Sequence, residues 1–260
     1  MTHLRPDLLG GLIQAAVRNQ ARGAMDLALF EVGPAFDGGE PGEQHMQAAG
    51  LLVGAAAGRD PFGSRRMVDL YDAKADAEAV LTAMGAPSRT QIGRGAPAWW
   101  HPGRSGQIML GPKVVLATFG EIHPKILRAM DLKGPAVAFS IFPENVPLPK
   151  TRSATRPALS QSGLQAVERD FAFVLDHRVE AQVLVNAAQG ADKSLIESVR
   201  VFDEFTGPRA EEQMGAGKKS IAITVRLQPQ TQTLTDQDIQ AVSAQIIAKV
   251  TKATGGALRS

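Results

Sequence analysis

A proline-rich segment constrains the fold of this chain more than any other feature. Residues 143–165, PENVPLPKTRSATRPALSQSGLQ, hold four prolines, several serines and threonines, and few large apolar side chains. Proline lacks an amide donor and biases the residue before it toward extended backbone, so this segment suits neither a helix nor a central strand. We therefore predict a linker at residues 146–165, between a first domain at residues 1–145 and a second at residues 166–260.

Both domains are predicted to combine helices with antiparallel strands. In residues 1–145, LRPDLLGGLIQAAVRNQ has the apolar spacing of a helix, and a hairpin turn at Gly111 joins two strand patterns further on. Strands joined by hairpins, with helices set apart, favour an antiparallel sheet. Residues 166–260 predict the order βαββαβ, which is the ferredoxin-like motif. The expected fold class is therefore α+β.

Composition limits the chemistry that the chain can carry. It has no cysteine, which excludes disulfides, thiolate metal sites and cysteine nucleophiles and fits a reducing compartment. The net charge is only +2, so a nucleic acid would be bound by a few placed groups and not by a strong general field. No apolar run has the length of a membrane span, and we expect a cytoplasmic protein with no membrane partner.

The segment GAGKKS, residues 215–220, resembles a phosphate-binding loop but lacks its requirements. Glu212 stands where the first glycine is needed, and Lys219 stands where serine or threonine must follow the lysine. The segment also leads from a loop into a strand, whereas the motif leads from a strand into a helix. We therefore predict the start of a strand here and no nucleotide loop.

Other candidate reactive groups favour structural roles. The chain has five histidines, none in a helical pair spaced for metal binding, so no metal site is predicted. His101 and His123 each precede proline and could line a cleft, but structural roles are favoured: a turn before a strand for His101 and a polar residue just ahead of a helix for His123. Trp99 and Trp100 could stack on a ligand, although tryptophan more commonly fills a core edge. No nucleophile elbow is present, and no catalytic residue is predicted.

Residues 200–223 predict two strands joined by a loop of about ten residues. Asp203 and Phe205 close the first strand, and Lys218, Lys219 and Ser220 open the second: the five polar or aromatic groups meet at one end of the hairpin. An aromatic ring can stack on an unpaired base, carboxylates and hydroxyls can bond base edges, and lysines can hold phosphates. The hairpin is therefore a candidate RNA-binding surface.

Ordinary packing is the alternative interpretation of this hairpin. Phe202 and Phe205 have opposite parity along a regular strand, so one of the two rings is expected to face the core. On the residues alone, both interpretations stay open.

A set of segments, taken in order, resembles the C-terminal part of the β subunit of bacterial phenylalanyl-tRNA synthetase. The segments span nearly the whole chain, and their order and coverage make the resemblance specific. They are LRPDLLGGLIQAAVRNQ, LALFEVGPAF, VDLYDAKADAEAVL, HPGRSGQI, FGEIHPKI, ERDFAFVLD, FDEFTG, GKKSIAI, TLTDQDI and GALR.

For residues 1–145, the resemblance implies a class II synthetase-like domain that has lost its active site and packs against the catalytic α subunit. LALFEVGPAF looks like a degenerate class II motif 2: Leu29 and Phe30 precede Glu31, where a working enzyme carries an arginine for the ATP α-phosphate. No cofactor is therefore expected in this chain. In the full enzyme, an α2β2 heterotetramer, the α subunit would use ATP and Mg²⁺.

For residues 166–260, the resemblance implies a ferredoxin-fold domain that binds the anticodon stem-loop of tRNA(Phe). The family's anticodon-reading groups fall on Asp203, Phe205 and Ser220, with Lys218 and Lys219 as expected phosphate contacts. The family's usual tyrosine is Phe205 here, so stacking is retained and a phenol hydrogen bond is lost.

The resemblance thus implies one part of an aminoacyl-tRNA ligase, which supplies α-subunit contacts and anticodon binding without catalysis of its own. The family's upstream editing region is not in the sequence, so we expect a fragment or a truncated relative that does not edit. The alternative is a standalone protein-interaction or RNA-binding relative that no longer takes part in aminoacylation.

Overall fold

Two antiparallel sheets organise the residues that the computed structural model describes, which are 4–58, 60–148 and 162–259. Each sheet belongs to its own unit, and the chain divides between residues 153 and 154. Helices accompany both sheets, so the predicted α+β class is confirmed.

The predicted linker is only partly described, because residues 149–161 lie outside the described ranges. Its described ends belong to the units on either side. Val146 is buried in the core of the first unit. In the second unit, the hydroxyl of Ser162 donates to the carbonyl of Pro229 at 2.7 Å.

The first unit is built on a six-stranded sheet. Its elements are α1 (Leu9–Gln20), β1 (Leu27–Phe36), β2 (Gln44–Val53), α2 (Leu70–Ala83), β3 (Gln91–Gly93), β4 (Trp100–Leu110), β5 (Val114–Ile122), α3 (Pro124–Ala129) and β6 (Ala136–Ile141). The strand order is β1-β2-β6-β5-β4-β3, with every neighbouring pair antiparallel. The predicted hairpin turn is confirmed, since Gly111 lies between β4 and β5 with φ of +66°.

Side chains alternate along β2, so that neighbouring residues belong to two different hydrophobic layers. Leu51 and its same-face neighbours pack with α1, which contributes an apolar stripe that includes Leu12 and Ala16. Leu52 points the other way and packs in the cluster that contains Ala73 of α2. The sheet is therefore covered by a helix on each face, and the apolar spacing of both helices follows from this burial.

A charged cap fixes the start of α2. The carboxylate of Asp69 accepts from the amide of Tyr71 at 2.8 Å, and Asp72 accepts from the amide of Asp69 at 2.8 Å, which is a capping box. The guanidinium of Arg66 donates to both oxygens of Asp72 at 2.7 Å. This bidentate pair is the main cause that lowers the pKa of the Asp72 carboxyl, and the amide of Asp69 adds to it.

The second unit confirms the predicted βαββαβ order and adds one helix to it. Its elements are β7 (Val167–Asp176), α4 (Ala181–Gln189), β8 (Ile196–Phe205), α5 (Pro208–Met214), β9 (Lys218–Leu227), α6 (Asp236–Thr254) and β10 (Ala257–Leu258). The strand order is β10-β7-β9-β8, and α4 and α6 share one core with the sheet. The predicted loop between β8 and β9 was wrong in part: α5 occupies it, with Pro208 in the first turn.

Candidate nucleic-acid interface

One face of the second sheet shares its core with α4 and α6. Along β9, Ile221, Ile223 and Val225 are buried in the core with α4 and α6. The intervening residues, Ser220 and Ala222 among them, point to the opposite side because side chains alternate along a strand. We call this opposite side, with the residues paired to Ser220 and Ala222, the open face.

The strand register brings the three predicted anticodon residues together on the open face. Phe205 of β8 pairs with Ser220 of β9, and Asp203 pairs with Ala222. Directly opposite residues of an antiparallel pair project to the same side, with Cβ atoms about 5 Å apart. On its other flank, Ser220 pairs with Val174 of β7. A carboxylate, an aromatic ring and a hydroxyl therefore share one patch.

A β-bulge decides which side chains of β8 reach this patch. The register shifts between Val201 and Asp203, so Phe202 is an extra residue in the strand. The expectation that one of Phe202 and Phe205 faces the core was therefore wrong. The bulge breaks the strict alternation, Phe202 is 52% exposed, and neither ring is among the buried core residues of the described chain.

Arg259 completes the patch and was missed by sequence reasoning. Its amide donates to the carbonyl of Ala172 at 2.7 Å, which places it on the β7 edge just after β10. Its guanidinium carbon lies 5.9 Å from the centroid of the Phe205 ring. The one available signal was a basic residue directly after a short terminal strand, and nothing local to it indicates a contact with β8.

The two predicted phosphate-contacting lysines differ in their surroundings. Lys219 has the parity of the buried residues of β9, is 8% exposed, and its ammonium lies 2.9 Å from a carboxylate oxygen of Glu204. That ammonium is already paired inside the unit. Lys218 opens β9 opposite Asp176 and is only partly buried. The expected phosphate contact therefore fits Lys218 better than Lys219.

A shallow depression extends the open face beyond the bulge. Its volume is about 610 Å³, and Arg200, Phe202 and Thr224 line it together with acidic residues of β7. The hydroxyl of Thr224 donates to Asp170 at 2.7 Å. An exposed ring and an arginine thus continue the surface that Phe205 and Arg259 begin.

The remaining candidates lie in the first unit. The Nδ1 atoms of His101 and His123 each accept from an amide two residues later, at 3.1 Å. His123 is thereby the N-cap of α3, as favoured, whereas His101 lies within β4 and not in a turn before it. Trp100 is buried in the core, whereas Trp99 is partly exposed. No cluster of three or more histidine and acidic side chains suited to a metal ion occurs among the described residues.

Glu31 has an arginine neighbour in space that is not close to it in the sequence. No arginine stands near Glu31 in the chain, but the guanidinium of Arg5 contacts the Glu31 carboxylate and also donates to the carbonyl of Pro34 at 2.9 Å. This arginine comes from the residues before α1 and is held by two acceptors of β1. It is a structural tie between the two segments.

Two family models match this chain. Residues 1–142 match the phenylalanyl tRNA synthetase beta chain CLM domain, and residues 162–259 match the ferredoxin-fold anticodon binding domain. The chain belongs to the phenylalanyl-tRNA synthetase beta chain family. Membership in this family confirms the resemblance drawn from the sequence, and the second match confirms the ferredoxin-like fold.

Several relatives match over essentially the whole chain, each named phenylalanine–tRNA ligase beta subunit. The protein of Cereibacter sphaeroides is 73% identical over 259 residues, which are 100% of this chain and 32% of the relative. Those of Ruegeria pomeroyi and Rhodospirillum rubrum are 66% and 54% identical, over 100% and 99% of this chain and 32% of each relative. The chain thus spans about a third of the length of these synthetase subunits.

A solved structure also resembles part of the chain. Pyrrolysyl-tRNA synthetase from Desulfitobacterium hafniense matches with a TM-score of 0.40 and 15% identity, over 55% of this chain and 48% of that one. Separately, no helix in the described ranges is both long and apolar enough to cross a membrane.

Proposed function

We propose that this chain supplies the anticodon-binding part of a phenylalanine–tRNA ligase β subunit, with residues 166–260 as the RNA-binding module. The observation that carries the proposal is the register of β8 on β9. It gathers Asp203, Phe205 and Ser220 on the sheet face opposite α4 and α6. The ligand is the anticodon stem-loop of tRNA(Phe).

Each group on the open face has a chemical part in this proposal. The Phe205 ring is a stacking platform for an unpaired base, and the adjacent guanidinium of Arg259 provides a second flat, cationic surface. The carboxylate of Asp203 accepts from base amino and imino groups. The Ser220 hydroxyl, buried between β7 and β8, donates or accepts at the floor.

The small net charge of the chain is consistent with binding through these few individual contacts. With a net charge of +2, long-range attraction to RNA is small, and binding rests on stacking and hydrogen bonds with a few cations such as Lys218 and Arg259. We therefore expect modest affinity with marked dependence on the anticodon bases.

Binding of tRNA(Phe) transcripts to the purified chain tests the proposal. Phe205→Ala should weaken binding by about 1–3 kcal/mol, and Phe205→Tyr should keep it, because the second change retains the ring. Val183→Ala, an exposed position on α4, is the matched control. Equal affinity for transcripts with and without an altered first anticodon base would instead favour a standalone RNA-binding relative.

We also propose that residues 1–145 contact the α subunit of an α2β2 heterotetramer in the cytoplasm. The supporting observation is an uncovered apolar strip on the edge strand β1. Phe30 is 81% exposed and Val32 is 62% exposed. They point away from Leu29, which packs toward α1.

Copurification tests this contact. Phe30→Asp should abolish capture of a coexpressed α subunit and leave tRNA binding by the chain intact. Tyr71→Ser, an exposed aromatic position on α2, serves as the control. Unchanged capture by the Phe30 variant would remove β1 from the interface.

The proposed role includes no catalysis by this chain, with ATP and Mg²⁺ used by the α subunit. In its support, the arginine beside Glu31 is tied to β1 by the Glu31 carboxylate and the Pro34 carbonyl. Phenylalanine-dependent exchange of pyrophosphate into ATP should be absent with the purified chain and present with the α subunit added. Exchange by the chain alone would refute this part of the proposal.

A further inference from the structure

A cavity of about 700 Å³ lies on the sheet of the first unit, beside the start of α1. Its floor is formed by Gln47, Thr118 and Ser140 from the neighbouring strands β2, β5 and β6. These are the buried polar side chains of the described first unit, each no more than 4% exposed. Polar side chains are normally excluded from a core, so their gathering under one cavity marks a built polar site.

The two hydroxyls on this floor lack protein partners. Thr118 and Ser140 stand directly opposite each other on β5 and β6. Neither hydroxyl has a hydrogen-bond partner within the described part of the chain. The Oε1 atom of Gln47, in contrast, accepts from the amide of Leu8 at 3.0 Å. Both hydroxyls line the cavity and neither is among the fully buried polar atoms that lack a partner, so they are free to bond a polar group bound there.

The charges of the residues that line the cavity indicate the charge of the ligand that fits it. Asp7, Asp37 and Glu144 line the cavity with His45, and no lysine or arginine is among its described lining residues. Nδ1 of His45 lies 3.3 Å from the Asp37 carboxylate. An acidic wall disfavours phosphate and carboxylate ligands and attracts cations.

An aromatic wall supports the same choice. Trp99 lines the cavity and keeps 43% of its surface exposed, while Trp100 next to it is buried in the core. The face of an indole ring attracts cations, most strongly where water is excluded. The volume is also within the usual range for small-molecule sites, roughly 300–1,000 Å³.

We propose that this cavity binds a small organic amine in its ammonium form. The Thr118 and Ser140 hydroxyls accept hydrogen bonds from the ammonium group, the carboxylates balance its charge, and Trp99 packs against its carbon chain. The site belongs to the first unit and is separate from the residues proposed to bind RNA.

Titration with three probes of similar length tests the proposal: 1,4-diaminobutane, 1,4-butanediol and succinate. Fluorescence of the Trp100→Phe variant isolates Trp99 as the reporter. We expect a saturable change with the diamine, a much weaker one with the diol and none with succinate. Equal responses to diamine and diol, or no saturable response to the diamine, would overturn the proposal.

Two nearly isosteric variants locate the site. Thr118→Val and Ser140→Ala should each weaken diamine binding by about tenfold, the equivalent of one charge-assisted hydrogen bond. Thr82→Val removes an exposed hydroxyl from α2 in the same unit and should leave binding unchanged. Thermal unfolding of each variant shows that the fold is retained. If both variants bound the diamine with wild-type affinity, the diamine would bind outside this cavity and the proposal would be wrong.

Discussion

The guanidinium of Arg259 lies over the ring of Phe205, although β10 and β8 stand at opposite edges of the second sheet. The Arg259 side chain and the Phe205 ring therefore extend toward each other from opposite edges and meet above the strands between them. Small side chains leave this space clear, because Ala172 of β7 and Ala222 of β9 pair directly beneath it. The last basic residue of the chain thus contributes to a surface whose other members lie 39 or more positions earlier, at Ser220, Phe205 and Asp203.

Arg259→Ala should weaken tRNA(Phe) binding by about tenfold, because a cation–π contact and a cation facing RNA are both lost. The affinity of Arg259→Lys should lie between those of the wild type and Arg259→Ala, since lysine keeps the charge but not the planar group. Filter binding at several salt concentrations is the measurement. Loss of a phosphate contact would also reduce the slope of log affinity against log salt by about 0.7–0.9. An Arg259→Ala variant with wild-type affinity would restrict Arg259 to packing.

The ion pair between Lys219 and Glu204 should matter for stability and not for RNA. Glu204→Ala leaves a nearly buried ammonium unpaired and should lower the free energy of unfolding by about 1 kcal/mol. Lys219→Met keeps the buried stem, removes the charge and should cost less. Urea unfolding of both single variants and the double variant gives their coupling energy. A large loss of tRNA affinity in a folded Lys219→Met protein would restore Lys219 as an RNA contact.

Trp100 carries a buried indole NH without a hydrogen-bond partner among the described residues. Trp100→Phe removes this donor but also leaves space, and the two effects oppose each other. The free energy of unfolding should therefore change by less than about 1 kcal/mol, whereas Trp100→Ala should cost about 3–5 kcal/mol. Denaturant unfolding distinguishes the two variants, and a large loss in Trp100→Phe would indicate that the NH is satisfied in solution.

The start of α2 should contribute to acid sensitivity. Arg66 lowers the pKa of Asp72 below its ordinary value of 3.8, so Asp72 binds protons less readily in the folded state than in the unfolded state. Its contribution to stability is complete above that ordinary value and is lost as the pH falls through the lower, folded-state pKa. The free energy of unfolding of the wild type and of Arg66→Met should be measured between about pH 6 and pH 2.5, the range that brackets this loss. It should fall less steeply with decreasing pH in the variant. Parallel declines would exclude this pair.

Local patterns predicted much of the second unit. Alternation and helical spacing gave the βαββαβ order, because each element buries one apolar face against the same core. The helix α5 was missed although PRAEEQM has proline in its first turn and good helix formers after it. Its glycine-flanked position between two strands favoured a loop.

The candidate sites depended on contacts that no local pattern contains. The bulge at Phe202 has no sequence signal, and Arg259 meets Phe205 above two intervening strands. In the first unit, Thr118 and Ser140 are single polar residues in otherwise apolar strands, and only the sheet register places them side by side. The resemblance supplied Asp203, Phe205 and Ser220 as individual residues, whereas the structure supplies their common face.

The extra residue in β8 decides which side chains of that strand lie on the open face. If β8 continued from Val201 without the bulge, Glu204 would take the place of Phe205 opposite Ser220, and Asp203 would oppose the core residue Ile221. Loss of the bulge at an unchanged sequence would thus replace a ring by a carboxylate, whereas deletion of Phe202 would keep Asp203 opposite Ala222 and Phe205 opposite Ser220. For relatives of this chain, the residue opposite Ser220 consequently has to be identified from the strand register with its bulge, and not from the position of the ring in the sequence alone.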